Sequence, residues 1–84
     1  MFNDSSALAL QALGWILADG VRAQRFLDLT GLTPDALRAA LDEPGTHRAV
    51  FEYLAAYEPD LLACADALDV LPEDLARAGQ EIRA

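Results

Sequence analysis

Apolar positions recur every three to four residues in six stretches of this chain, and a proline, a glycine or a short polar break separates each stretch from the next. That spacing keeps apolar side chains on one face of an α-helix. The first stretch predicts a helix that starts near Asp4–Ser6, whose oxygens can accept the first orphan N–H groups, and runs to about Ala18. Leu10, Leu13 and Leu17 form one stripe, while Leu8, Trp15 and Ile16 fall off it and Gln11 is the lone polar residue of the run. A helix that is apolar nearly all round is central in its fold or lies at an interface. We therefore expect it to be the most buried of the six.

The second helix, Val21 to Thr30, follows the break at Asp19-Gly20 and turns Ala23, Phe26 and Leu27 inward, with Arg22 and Arg25 outward. Gly31 suits a left-handed helix end, with Leu32 supplying the hydrophobic contact that accompanies it. Thr33-Pro34-Asp35 then offers an N-cap, a proline at the first helical position and a carboxylate on the positive helix end. This third helix runs to about Leu41 and buries Leu37 and Leu41. After the break Asp42-Glu43-Pro44-Gly45, a fourth helix reaches about Tyr57 with Val50, Phe51 and Leu54 inside. Glu58-Pro59-Asp60 opens a fifth, with Leu61, Leu62, Ala65 and Leu68 on one face. Leu71-Pro72-Glu73 opens a sixth, with Leu75, Ala78 and Ile82 buried and its end left open by Gly79. No segment alternates as a strand would. The predicted fold is all-α, a compact orthogonal bundle of about six short helices, one domain over residues 1–84.

Residues 12–40 can be laid over 50–78 at an offset of 38, placing Trp15 on Tyr53, Asp28 on Asp66, Pro34 on Pro72 and Leu37 on Leu75. Read so, the chain has two pseudo-repeated three-helix halves. An alanine- and leucine-rich chain matches itself at many offsets, so the helix count does not rest on a duplication.

The charge narrows the functional classes. Fourteen acidic and six basic residues leave a formal net charge of −8, and every basic residue is arginine. A phosphate backbone calls for clustered cations, whereas Arg22 and Arg25, the one close pair, are flanked by Asp19 and Asp28. Nucleic acid and anionic membrane surfaces are disfavoured as partners. The residues from Leu27 to Leu37 outline a helix-turn-helix, but residues 34–41 offer the groove only Asp35 and Arg38. The N-terminus lacks the positive region of a signal peptide, the longest apolar run is too short for a bilayer, and one cysteine demands no oxidising compartment. Cytoplasmic location is expected.

Chemistry is sparse. His47 and Cys64 are the single histidine and cysteine, and no metal-ligand spacing surrounds them, so we expect no metal, no cofactor and no enzymatic activity. His47 should cover part of the core and Cys64 should be a small buried hydrophobe. Most carboxylates fall at helix ends, where capping explains them. Asp28 and Asp66 fall in last turns, where negative charge is unfavourable, and Arg25 stands three residues before Asp28 as a salt-bridge partner. Trp15 and Tyr53, with Tyr57 one turn on, fit two roles: core packing, or anchors of a protein interface, where such rings are over-represented.

The segments Ala12-Leu13-Gly14-Trp15-Ile16-Leu17, Arg25-Phe26-Leu27-Asp28-Leu29-Thr30-Gly31-Leu32 and Pro72-Glu73-Asp74-Leu75 resemble a family of short, mainly alphaproteobacterial proteins, domain of unknown function 3572. The resemblance implies a stand-alone helical cytoplasmic protein with no assigned activity. It also implies a signalling protein as partner, since such genes are associated with neighbourhoods encoding a cell-cycle response regulator. It carries over no catalytic residue. The expected function is a non-enzymatic protein–protein interaction module or regulatory adaptor, with a homodimer also open, acting through Trp15, Tyr53, Tyr57, Arg22 and Arg25. The alternative is a helix-turn-helix-like nucleic-acid-binding regulator, which needs a contiguous positive patch over Arg22, Arg25 and Arg38.

Overall fold

The structure, a computed structural model, describes residues 5–83, and these form six α-helices: α1 (Ser5–Leu17), α2 (Gly20–Thr30), α3 (Pro34–Ala39), α4 (Pro44–Ala56), α5 (Glu58–Leu68) and α6 (Pro72–Arg83). Among the described residues there is no strand, so the fold is all-α, as the periodicity predicts.

The local signals act where they stand. The Asp19 carboxylate accepts the Arg22 N–H at 3.0 Å and opens α2. Thr33 Oγ1 accepts the Ala36 N–H at 3.1 Å, with Pro34 next in line, and opens α3. Gly31 ends α2 in the left-handed conformation at φ 76°, and its N–H donates to the Leu27 carbonyl at 2.8 Å. Asp69 ends α5 the same way at φ 61°, with the Val70 N–H reaching back to the Ala65 carbonyl at 2.9 Å. The predicted cap at Asp4 lies outside the described residues.

Helix bounds recur at the offset of 38 residues. Gly20–Thr30 maps onto Glu58–Leu68, Pro34 onto Pro72, and Gly31 onto Asp69. Packing does not follow the same register. The six residues of α3 bury Leu37 alone, whereas the twelve of α6 pack on α1, α4 and α5.

The buried face of α1 is Ala9, Ala12, Leu13 and Ile16, and of the leucine stripe Leu13 is buried while Leu10 and Leu17 are exposed. Ala9 and Ala12, both fully buried, leave room on this face for α4, α5 and α6 to pack against α1. Nor is α1 the most buried helix. Six residues of α4 are buried, Thr46, His47, Val50, Phe51, Tyr53 and Leu54, against four of α1. In α5 the inward face is Leu61, Cys64, Ala65 and Leu68, with Leu62 outside at 49% exposure. Leu41 lies beyond the end of α3 and is half-buried.

Gly79 does not end α6; it is buried within it. A Cβ built there would stand 2.9 Å from Phe51 Cβ, so the missing side chain is what lets α6 cross α4. Ser5 Oγ donates to Glu81 Oε1 at 3.0 Å and ties the start of α1 to α6. The accessible surface, 4851 Å², is what a monomer of 9.0 kDa presents, roughly 4,900 Å². No helix among the described residues is long and apolar enough to cross a membrane.

Candidate functional site

The residues picked out as interaction candidates fall into two clusters. In the first, Trp15 is half-buried on α1 and the guanidinium of Arg22 lies over its ring, 3.7 Å from the centroid. Arg22 also donates to the Trp15 backbone carbonyl, while its Nε is buried without a hydrogen-bond partner among the described residues. The cation occupies one face of the half-buried ring.

The second cluster joins α2, α4 and α5. Tyr53 is fully buried, with Phe26 edge-on at 5.9 Å, and its hydroxyl donates to Asp60 Oδ2. Arg25 Nη1 donates to the same oxygen at 3.1 Å and to the Tyr53 hydroxyl at 3.4 Å. Its guanidinium lies 5.0 Å from the Tyr57 ring, which leans on Tyr53 at 5.1 Å. Burial, then the hydrogen bond to the Asp60 carboxylate and its charge, push the Tyr53 pKa up to about 12, against the opposing effect of Arg25. Of the two roles open to Tyr53, the structure assigns it the core. Tyr57, at the margin of exposure, continues the cluster to the surface.

Arg25 does not pair with Asp28. Asp28 Oδ1 accepts instead from Gln24 Nε2 at 2.9 Å, one helical turn away. Arg38 is held by Asp35 at 2.7 Å and Arg77 by Asp74 at 3.0 Å. The cations required for a nucleic-acid surface are thus paired with carboxylates at Arg25 and Arg38 and stacked on a ring at Arg22.

His47 is buried, and its Nε2 lies 2.7 Å from the Leu41 carbonyl. A carbonyl can only accept, so Nε2 carries the proton and the ring secures the turn between α3 and α4. Cys64 is fully buried. Desolvation pushes its thiol up to about 11, with Arg22 opposing and Asp60 reinforcing the shift.

Two grooves remain. One, about 200 Å³, runs over the α4–α6 crossing between Phe51, Leu61, Leu75 and Gly79. The larger, about 430 Å³, opens between the end of α2 and the first half of α4. Leu29, Leu32 and Ala49 supply its apolar lining, and the exposed residues Glu43 and Glu52 line it as well. None of the five candidate residues lines it. Its signal was present in the sequence as Leu29, an apolar residue off the Ala23–Phe26–Leu27 face, and as the three-residue spacing of Glu43, Thr46, Ala49 and Glu52 along α4.

Comparison with curated proteins and with solved structures finds no match. A family model does match, over residues 3–83, which is nearly the whole chain. By that match the chain belongs to the family described as protein of unknown function (DUF3572).

Proposed function

We propose that this chain is a non-enzymatic, cytoplasmic protein–protein interaction module that takes a basic segment with an apolar anchor into the groove between α2 and α4. The observation that carries this reading is the composition of that groove. Leu29, exposed at 49%, forms an apolar lining with Leu32 and Ala49, and Glu43 and Glu52 add two carboxylates to the same lining. A net charge of −8 adds a long-range field that favours a basic partner and speeds its approach. An apolar pocket within a charged rim is the arrangement in which one anchor supplies affinity and the rim supplies selection. Tyr57 and Trp15 lie outside this groove and are packed with Arg25 and Arg22. No observation favours the nucleic-acid alternative.

The test is capture of tagged chain from native-host lysate, with and without nuclease, beside the double variant Glu43→Lys, Glu52→Lys. A stoichiometric, nuclease-resistant partner that the wild type holds and the folded variant loses supports the groove. A partner held equally by both overturns it, and a nuclease-sensitive catch turns the reading to nucleic acid.

A further inference from the structure

We infer that α3 is a clamp latched by His47, which opens as a unit from the body of the fold and which, in a role that rests on the groove reading above, a partner in the α2–α4 groove holds shut. The first observation is packing. Each of the other five helices packs along two or more neighbours, whereas among the described residues α3 packs closely along none. Five of its six residues are exposed and Leu37 alone is buried. Its ion pair, Arg38 to Asp35 at 2.7 Å, lies within α3 and ties it to no other helix. A segment with so few buried apolar contacts opens at a lower free energy than the core.

The second observation is how the segment is held. Leu37 joins the core, and the Leu41 carbonyl, just past the end of α3, accepts a hydrogen bond from His47 Nε2 at 2.7 Å. Among the described residues, no other hydrogen bond ties residues 33–41 to a neighbouring helix. At one end of the segment stands Gly31, left-handed at φ 76°, and at the other Asp42-Glu43 before Pro44, none of them within a helix. Positions of this kind absorb the backbone rotation of a hinge.

The third observation joins the clamp to the groove. Leu32 follows the first hinge and Glu43 belongs to the second, and both line the groove, as does Thr46 beside His47. An outward swing of α3 carries Leu32 and Glu43 with it. The closed form is therefore the one that presents an apolar residue and a carboxylate together, as a basic segment with an apolar anchor requires. A partner that binds this form alone suppresses the opening in proportion to its occupancy. Occupancy of the groove is in this way passed to α3, whose outer face is free of the rest of the fold.

Residue-resolved amide hydrogen exchange of the full chain at several low urea concentrations tests this. It is run beside His47→Leu, which removes the donor, and His47→Gln, whose amide nitrogen can replace Nε2. The Leu37, Ala40 and Glu43 amides should be less protected than those of Leu13 and Phe51 and nearly insensitive to urea, because a local opening exposes little surface. His47→Leu should speed exchange at Ala40 and Glu43 about fivefold more than at Phe51, the loss of one hydrogen bond, and His47→Gln should restore it. Protection and urea slope in α3 equal to those of Phe51 overturn the clamp, and wild type alone gives that result should a variant not fold. Exchange at Ala40 that follows Phe51 in His47→Leu overturns the latch. A short peptide of leucines flanked by arginines, added to wild type, should slow exchange at Ala40 and Glu43 and not at Phe51. A peptide that shifts the Leu32 and Ala49 resonances yet leaves Ala40 exchange unchanged overturns the coupling. One that does not bind counts against the groove reading and the coupling with it, while the opening is decided by exchange of the chain alone.

Discussion

The hydroxyl of Tyr53 donates to the carboxylate of Asp60, joining α4 to α5 across a connection of one residue, Tyr57. The ring is fully buried, so without Asp60 its hydroxyl proton would lose water and have no acceptor in its place. Arg25 completes the arrangement from α2, which places three helices on one shared oxygen.

Protonated Tyr53 is the form this site holds. Its pKa, about 12, stands above the ordinary 10.0, so its contribution to stability is complete below about pH 10 and is lost as pH rises toward about 12. Cys64, at about 11 against 9.0, acts in the same direction from about pH 9. Urea midpoints should therefore fall between pH 9 and 11, and one of the two tyrosines should ionise late in an alkaline absorbance titration. Tyr53→Phe should cost about 1–2 kcal/mol at pH 7 and flatten the alkaline loss. A midpoint that falls as steeply in that variant would show that another group is responsible.

Gly79 and Gly14 make a matched pair. Gly79→Ala gains about 1 kcal/mol of helix propensity but drives a Cβ to 2.9 Å from the stem of Phe51, which cannot swing away. Overpacking of this kind costs about 1–3 kcal/mol, so the variant should be less stable. Gly14→Ala meets no atom within 4 Å and should raise the stability of the monomer by about 0.5–1 kcal/mol. Thermal unfolding at low micromolar concentration, where any self-association is negligible, checks both signs.

Asp69 occupies the left-handed position that Gly31 fills at the end of α2. A non-glycine residue pays strain there, and a carboxylate at a helix C-terminus meets the negative end of the dipole. Asp69→Gly should stabilise the chain by about 0.5–1 kcal/mol. The reverse experiment, Gly31→Ala, should destabilise it by about 1 kcal/mol. Chemical denaturation that ranked the two the other way would contradict the backbone geometry.

Helix starts were legible because their causes are local. Thr33 reaches a donor three residues on, and Pro34, Pro44, Pro59 and Pro72 need nothing beyond their own rings. The Arg25–Asp60 pair spans 35 residues and forms only once α2 lies beside α5, so the nearer Asp28 looked like the partner. The inner face of α1 is not legible in the sequence for a related reason. Leucines mark a helix face by size, while Ala9 and Ala12 are buried because neighbouring helices approach closely, and that approach is a tertiary fact. The larger groove was hidden more deeply: Leu29 and Glu52 meet only when α2 lies against α4.

Cys64 offers a readout of all these changes. Its sulfur is fully buried, and with a pKa of about 11 only roughly one thiol in a thousand is ionised at pH 8 even before access is considered. A disulfide reagent can therefore react only with molecules that have opened, and the rate follows the open population when closing is fast. Labelling at pH 8 should be at least a hundredfold slower than for the chain in urea. It should quicken in Tyr53→Phe and Gly79→Ala and slow in Asp69→Gly, in the order of their stabilities. Rapid labelling of the native chain, unchanged across the three variants, would mean that the thiol is reached by a local opening near α5 that leaves the Tyr53–Asp60 contact in place.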